Sequence, residues 1–389
     1  MFKDFTNFDP ATERFYTEPE AGCEQIKARG TAIPYPAPMM SVFILFHKLF
    51  SNPLQGYLAF LASSAVAATV WLMVSFRSLS VGRRPLALAA GVSLLLSYPF
   101  LFELERANAE GFVWVVVALG MAAFVARRHQ TAGLLFGLAA SMKFFPGVLL
   151  LLLLARRRYK EFVVSAAAIL VFTLIGLRTL GPIPDVLAEV TNGLGRTTSA
   201  HLTQYRPDEI GYDHSLFAVV KHVLHFQYKR DYPVLNRAHV YHLLNARIAA
   251  VRIPYTLFVL TGFGLLYCFR IRKLPVLNQT MALMVLAVTL PYISGEYTLA
   301  HLYSVWVLFL LFVARDLATG RQRISRFVVL GVLGAFGLIF AMTPFGWYAS
   351  VLKTLALMSL LLVSVTIPLR SSMLEEDCAA ALEPILVAQ

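Results

Sequence analysis

Long apolar runs are the feature of this sequence that most constrains its fold. They are about 18 to 22 residues long and alternate with short polar breaks, and a helix of that length crosses the roughly 30 Å hydrocarbon core of a bilayer. Apolar residues make up 58% of the 389 residues, and charged residues only 14%. A soluble domain carries about a quarter charged residues. The sequence therefore predicts an all-α fold, a polytopic transmembrane helical bundle.

About nine membrane-spanning helices are predicted within a single membrane-embedded domain over 1–389. They lie near 55–76, 85–102, 112–126, 161–181, 251–270, 277–295, 299–315, 325–343 and 349–369. Basic clusters flank these runs, and the positive-inside rule places such clusters in the cytoplasm. The rule leaves the N-terminal segment 1–54 and the loop 182–250, which has short helical patterns, on the extracytoplasmic side. It places the tail 370–389 in the cytoplasm.

The segment 131–155 does not fit a simple alternation of spans. Basic clusters stand at both of its ends, so both ends are expected on the cytoplasmic side. The segment also contains the charged Lys143, and Pro146, which breaks or kinks a helix. A re-entrant hairpin of two half-helices, entering and leaving on the same side, satisfies these features. A single kinked span is the alternative, and it leaves one basic cluster on the wrong side.

Lys143 is the residue that the sequence marks most sharply for function. A lysine at membrane depth costs about 2.5 to 3.5 kcal/mol, so it needs a partner or a cavity. One interpretation is that it binds a phosphate or another anion at the hairpin turn, where helix N-termini add favourable dipoles. The alternative is a structural ion pair with Glu103, Glu105 or Glu110, or a side chain that reaches the membrane surface.

Other polar residues gather in segments that are predicted outside the cytoplasm. The loop 103–110 carries three carboxylates, an arginine and an amide, which suit a polar-ligand or acid–base site but also a plain solvated loop. Asp4 and Asp9 lie in the N-terminal segment, and His301 follows Tyr297 at the start of a span. The cysteines and histidines form no recognisable metal pattern, so neither a metal nor a cofactor is expected. The net charge of +12 sits at the ends of apolar runs and does not indicate nucleic-acid binding.

Two neighbouring motifs carry a family resemblance. The first is Glu105-Arg106-Ala107-Asn108-Ala109-Glu110-Gly111, and the second is the stretch 133–146, with two glycines, Lys143 and Pro146 at fixed spacing. Together they resemble glycosyltransferase family 87, also called DUF2029, whose pattern is an E-R-G-N-I-E loop followed by G-L-x-x-G-L-A-x-x-x-K-x-x-P. Ala107 and Ala109 replace the usual glycine and aliphatic residue.

The resemblance implies a membrane glycosyltransferase of the GT-C class, a hexosyltransferase of EC 2.4.1.-. Such an enzyme moves a hexose or pentose, mannose first among them, from a polyprenyl-phosphate donor to a glycan or glycolipid acceptor. The transfer inverts the anomeric configuration, needs no cofactor, and takes place on the extracytoplasmic face of a bacterial plasma membrane. The family has a membrane span before its catalytic aspartate, so a further helix upstream of Met1 is expected.

The resemblance and the charge pattern together give each candidate residue a role. Asp4 matches the catalytic aspartate of the family, and Asp9 is the fallback. The residues expected to bind the donor phosphate are Lys143, Arg106 and His301. Those expected to bind sugar or acceptor are Asn108, Glu105, Glu110 and Tyr297. A polyprenyl-lipid or small-solute transporter or flippase is the alternative function, because it too carries intramembrane charges and broken helices, although no internal repeat is visible.

Overall fold

The computed structural model describes residues 35–52, 54–64, 90–106, 108, 110–203, 212–232, 237–318, 324–342 and 347–369. Throughout these ranges the regular structure is helical, which confirms the predicted all-α class. Besides a helical stretch at 90–95, the α-helices are α1 (Ala37–Leu49), α2 (54–64), α3 (Tyr98–Arg106), α4 (Glu110–Val125), α5 (His129–Met142), α6 (Leu150–Ala155), α7 (Tyr159–Leu180), α8 (Ile183–Thr203), α9 (Leu216–Asp231), α10 (Arg237–Phe269), α11 (Val276–Thr289), α12 (Tyr303–Ala318), α13 (Arg326–Phe340) and α14 (Trp347–Thr366). Short 3-10 segments lie at Phe145–Leu149, Ile271–Lys273 and Glu296–Leu302.

The helices form a membrane bundle around a buried centre. Three described stretches are long and apolar enough to cross a bilayer, namely Tyr159–Leu180, Val240–Lys273 and Glu296–Ala314, and shorter apolar helices accompany them. Every residue of α11 is buried, as expected for a helix that is enclosed by its neighbours. In contrast, α7 and α10 keep apolar side chains such as Leu170 and Phe258 on the outside, where they suit contact with lipid.

Several of the predicted spans coincide with described helices, and two described helices differ from the prediction. The predicted spans 112–126, 161–181, 277–295, 325–343 and 349–369 correspond to α4, α7, α11, α13 and α14. The helix α10 begins at Arg237, well before the predicted start at 251. The helix α8 has no predicted counterpart, because its polar residues interrupt the apolar run on which the prediction depends. Its apolar side chains instead follow one face.

The stretch 131–155 is a hairpin, as the basic clusters at its ends predict. Glycines let α5 and α7 lie against each other: Ser165 Oγ donates to the Gly133 carbonyl at 2.7 Å, and a Cβ on Gly137 would collide with the Ser165 carbonyl oxygen. Gly133, near the start of α5, packs against the Glu161 carbonyl, near the start of α7. The two helices therefore begin at the same end of the bundle. The leg formed by Phe145–Leu149 and α6 ends just before α7, so it returns to the end where α5 began.

The two ends of the bundle differ in charge. At one end, the arginine-rich turns meet: Arg156 Nη2 donates to the Leu274 carbonyl at 3.4 Å, and Arg270 Nε donates to the Val365 carbonyl at 2.6 Å. Two of these turns reverse tightly through Arg127 and Arg157, which have φ values of 61° and 56°. Lys143 lies at the hairpin tip, at the opposite end of α5. Buried carboxylates gather around that second end.

Candidate active site

A buried carboxylate joins the two motifs that the sequence singles out. Glu110 opens α4, and its Oε1 lies 2.7 Å from Lys143 Nζ while its Oε2 lies 3.2 Å from His301 Nε2. The Glu110 side chain is 2% exposed and that of His301 is 0% exposed, whereas Lys143 keeps 23% of its side chain exposed. We call these three residues the Glu110 cluster. It contains one carboxylate that is almost fully enclosed and one lysine whose side chain keeps some exposed surface.

Local backbone structure places Lys143 at this position. The α5 helix ends at Met142, and Lys143 has an extended conformation with φ −146° and ψ 140°. Pro146 then sits in the first turn of the next 3-10 segment, where its missing N–H costs nothing. The Lys143 ammonium lies 5.4 Å from the centre of the Tyr35 ring, which is within cation–π range. The hairpin therefore turns at the lysine, and the aromatic ring covers one side of the charge.

The loop before α4 is held by its own polar side chains. Asn108 Oδ1 accepts a hydrogen bond from the Glu110 amide at 3.0 Å, and the Asn108 carbonyl accepts one from the Tyr57 hydroxyl. The buried Glu103 carboxylate accepts a hydrogen bond from the Gly111 amide. These bonds satisfy donors at the start of α4 that no helical carbonyl can reach. Asn108 and Glu103 thus fix the direction in which Glu110 enters the cluster.

A second carboxylate cluster lies beside the first and repeats its composition. Glu296 Oε2 lies 2.7 Å from Lys353 Nζ, and its Oε1 lies 3.2 Å from His214 Nε2. All three side chains are at most 2% exposed, and the Lys353 ammonium also lies 5.2 Å from the centre of the Tyr98 ring. We call Glu296, Lys353 and His214 the Glu296 cluster. Unlike Lys143, its lysine has no exposed surface and so cannot reach a ligand directly.

Both clusters fasten the same 3-10 segment. Glu296 is the first residue of the segment Glu296–Leu302, and His301 is close to its end. One cluster ties the start of the segment to α14 and to the loop before α9, while the other ties its end to α4 and the hairpin tip. Phe145 adds an edge-on ring contact to His301, with ring centres 4.6 Å apart. The segment is therefore braced at both ends.

A stack of aromatic rings leads outward from this segment. Tyr297 and Tyr212 both stack on Phe102, with ring centres 6.3 and 6.0 Å away and ring planes inclined by 7° and 21°. Phe102 is buried, whereas Tyr212 is 48% exposed. Tyr297 and Glu103 also lie within electrostatic range of the Lys143 ammonium. We call Tyr297, Phe102 and Tyr212 the aromatic stack.

Asp213 anchors the loop that carries Tyr212 and His214. Its Oδ1 accepts hydrogen bonds from the amides of Ser215 at 2.9 Å and Ser294 at 2.8 Å, and its carbonyl accepts one from the Ser350 hydroxyl at 2.5 Å. Burial raises the pKa of the Asp213 carboxyl, while the two amide donors act in the opposite direction. The loop is thus joined to two distant parts of the chain.

The structure brings several of the sequence-predicted site residues together. Lys143, Glu110 and His301 form one cluster, with Asn108 beside it and Tyr297 within electrostatic range. Glu105 lies exposed on α3, and Arg106 is the last residue of that helix. Asp4 and Asp9 lie outside the described residues.

Residues of the assembled site that were not predicted include Lys353, His214, Asp213 and Tyr212. A signal existed for Lys353, because it is a lone charge in an apolar stretch, the same pattern that marks Lys143. No comparable signal marked the other three, whose partners are distant in sequence. Within the described ranges, no three metal-ligating side chains converge.

Comparison with known proteins matches a family model to about two thirds of the chain. The model of Glycosyltransferase family 87 matches residues 34–293, which include the hairpin, the Glu110 side of the site and the loop of Asp213. No curated protein and no solved structure matches the chain. The matched region contains both motifs that carried the resemblance in the sequence.

Proposed function

The chain belongs to glycosyltransferase family 87 and is an integral membrane glycosyltransferase, and from this premise we propose its donor, its acceptor and its chemistry. The donor is a polyprenyl-phosphate-linked hexose or pentose, with mannose first among the candidates. The acceptor is a glycan or glycolipid. The sugar is transferred on the extracytoplasmic side of a bacterial plasma membrane, with inversion at the anomeric carbon.

The partly exposed side chain of Lys143, with its ammonium paired to a buried carboxylate, is the observation that carries this proposal. An ammonium has three donors, and Glu110 occupies one of them. The cation is held at the hairpin tip by a carboxylate that cannot turn away, because His301 and burial fix it. A preorganised cation of this kind stabilises negative charge that develops in a transition state. The phosphate of a lipid-linked sugar gains such charge as it leaves.

The reaction is a displacement at the anomeric carbon. The carboxylate of Asp4, or of Asp9 as the fallback, takes the proton of the acceptor hydroxyl. The hydroxyl oxygen forms a bond to the anomeric carbon from the face opposite the phosphate. The bond between that carbon and the phosphate oxygen breaks, and the polyprenyl phosphate leaves with the electron pair. Lys143 offsets its new charge, and Arg106 is proposed to share this task.

The contacts at the site refine several of the proposed roles. Glu110 Oε1 contacts the Lys143 ammonium, its Oε2 contacts the His301 imidazole, and Asn108 Oδ1 caps α4. We therefore assign Glu110 and Asn108 to positioning Lys143 rather than to binding sugar. His301 contacts Glu110 directly, which makes it part of the same support. Glu105 and Tyr297 keep their proposed role in binding sugar or acceptor.

The sidedness of the reaction is argued from charge. Arginine-rich turns gather at the end of the bundle opposite the hairpin tip. The positive-inside rule places that end in the cytoplasm. Lys143 and both carboxylate clusters then lie toward the extracytoplasmic surface, where the family resemblance places the acceptor.

A transfer assay tests the proposal. The full chain, reconstituted in liposomes, is given polyprenyl-phosphate mannose and a glycolipid acceptor pool, and labelled product is measured. We expect Lys143→Met to lower the transfer rate by at least about 100-fold, as for other preorganised groups at a developing charge. Lys143→Arg is expected to retain more activity. The matched control is Lys229→Met, an exposed lysine near the end of α9. Equal activity of Lys143→Met and the control would remove Lys143 from the mechanism.

A second arm tests the proposed base and the rival function. Asp4→Asn and Asp9→Asn are assayed singly and together, and loss of transfer in one of them identifies the base. Full activity in the double variant contradicts the mechanism. A transporter or flippase instead moves labelled lipid or solute across the liposome membrane without forming a new glycosidic bond. Movement without product would favour that alternative.

A further inference from the structure

We propose that the exposed face of Tyr212, together with Glu105, forms a subsite that binds a pyranose ring of the acceptor. The inference rests on the proposed function for the identity of the acceptor as a glycan, but the binding site itself is argued from the aromatic stack. Tyr212 has no role in the mechanism above. Its ring is nevertheless held in a fixed orientation by Phe102, while the residue as a whole stays 48% exposed.

The ring is fixed from two directions. Phe102 stacks on it from the buried side, with ring centres 6.0 Å apart. The next residue, Asp213, accepts hydrogen bonds from two backbone amides and one hydroxyl, and the His214 amide donates to the Ser294 carbonyl at 2.8 Å. An exposed aromatic ring on so constrained a backbone loses little conformational freedom when it binds a ligand.

The chemistry of the surroundings fits a carbohydrate. The C–H groups on one face of a pyranose ring are apolar and pack on an aromatic face, while its hydroxyls need hydrogen-bond partners. Glu105 is exposed on α3, three residues after Phe102, and residues three apart are neighbours on the surface of a helix. The subsite therefore offers the aromatic face and hydroxyl of Tyr212 and, on the helix that carries Phe102, a carboxylate acceptor.

The position of the subsite indicates acceptor rather than donor. The donor sugar is bonded to the phosphate, which we place at Lys143. Tyr297 lies in the same 3-10 segment as His301 of the Glu110 cluster, and Phe102 separates Tyr297 from Tyr212 in the stack. Tyr212 is thus two ring contacts further from that segment. A sugar on its exposed face belongs to the chain that receives the donor sugar.

A binding experiment tests the subsite without requiring transfer. The full chain in lipid nanodiscs is titrated with methyl α-D-mannopyranoside and followed by saturation-transfer difference NMR, with D-mannitol as a polyol that lacks a ring face. We expect transfer to the ring C–H protons of the pyranoside. Tyr212→Leu should weaken its binding by about 3- to 10-fold, the range that one aromatic contact supplies. Tyr212→Phe keeps the ring and should stay within about twofold of the unchanged protein.

The matched control is Tyr232→Leu. Tyr232 is 45% exposed and stacks on Tyr228 with ring centres 5.8 Å apart, so it resembles Tyr212 in exposure and support. It follows α9, whose 16 residues separate it from the Tyr212 loop by about 24 Å. The proposal is overturned if Tyr212→Leu and Tyr232→Leu weaken pyranoside binding equally, or if neither variant weakens it. Tyr212 would then be assigned to the membrane interface rather than to a sugar subsite. The proposal is also overturned if Tyr212→Phe loses as much affinity as Tyr212→Leu.

Kinetics separate failure of the subsite from failure of the proposed function. In the transfer assay, Tyr212→Leu should raise the KM for the acceptor by the same about 3- to 10-fold, with the KM for the donor unchanged. A changed donor KM with an unchanged acceptor KM would overturn the assignment to the acceptor. If no variant transfers sugar but pyranoside binding depends on Tyr212, the subsite stands and the proposed reaction fails.

Discussion

The replacement of Lys143 by methionine gives a quantitative test of the Glu110 cluster. Methionine keeps the apolar stem of the side chain but removes the cation that lies 2.7 Å from the buried Glu110 carboxylate. Breaking a buried ion pair from one side costs about 3 to 5 kcal/mol, because the remaining charge is left without compensation. His301 still contacts that carboxylate. We therefore expect the free energy of unfolding to fall by about 3 kcal/mol, the lower end of this range.

Replacing the other partner of the pair, Glu110, should lower the free energy of unfolding by less. In Glu110→Gln the amide oxygen still accepts a hydrogen bond, and the Lys143 side chain, 23% exposed, can turn toward water. We expect Glu110→Gln to lower the free energy of unfolding by about 1 to 2 kcal/mol. The double variant Lys143→Met/Glu110→Gln removes both charges of this pair, so it should be more stable than Lys143→Met alone. The coupling energy between the two positions should therefore exceed the loss from Glu110→Gln alone, about 1 to 2 kcal/mol.

Unfolding in mixed detergent micelles with increasing sodium dodecyl sulfate measures these differences, with tryptophan fluorescence as the signal. The control Lys229→Met should change the free energy of unfolding by no more than about 0.5 kcal/mol. Additive effects of the two single substitutions, within about 0.5 kcal/mol, would refute the reasoning. The double variant should recover stability but not sugar transfer, which separates the structural role of Lys143 from its proposed chemical one.

Three further predictions use the same unfolding measurement. Lys353→Met alone should lower the free energy of unfolding by about 3 to 5 kcal/mol, because it leaves the buried Glu296 carboxylate without its cation. The double variant Glu296→Gln/Lys353→Met should be more stable than Lys353→Met. Equal stability of the two variants would contradict a buried ion pair. Gly137→Ala should lower the free energy of unfolding by about 1 to 3 kcal/mol, because the added Cβ collides with α7. The control Gly331→Ala places its Cβ in open space and should be neutral or stabilising. Similar values for the two variants would contradict the contact between α5 and α7. Asp213→Ala should lower the free energy of unfolding by about 2 to 4 kcal/mol, because it leaves two backbone amides without an acceptor. Asp213→Asn keeps an acceptor oxygen and removes a charge that burial disfavours, so it should lose less. Equal losses in the two variants would exclude Asp213 as the acceptor that anchors the loop.

Hydropathy and charge predicted the helices well because both act within one segment. An apolar run such as α7 or α11 is long enough to identify from its own residues, and basic clusters at both ends of 131–155 were enough to indicate the hairpin. The helix α8 was missed for the same reason, because a surface helix with polar residues has no long apolar run. Local rules describe what one segment prefers, and they fail where a segment depends on its neighbours.

The site was predictable only in part, because its contacts join distant positions. Lys143 was marked by its own surroundings, but the choice among three nearby glutamates needed the fold, which pairs it with Glu110. His301 reaches Glu110 across 191 positions, and Lys353 reaches Glu296 across 57. No spacing rule relates such residues. The role of Asp4 and Asp9 stays a prediction.

Glu296 and Lys353 are 57 positions apart, so Glu296 is synthesised well before the lysine that pairs with it. At about 5 to 20 residues per second, a ribosome needs roughly 3 to 11 s to add the residues that separate them. During that interval Glu296 has been synthesised, but the cation that neutralises it has not. The carboxylate must then remain at the water-accessible surface or shelter in the insertion machinery. The second cluster closes only when α14, the last of the described helices, has joined the bundle, so the brace on the segment that carries His301 is completed after the other described helices have been synthesised.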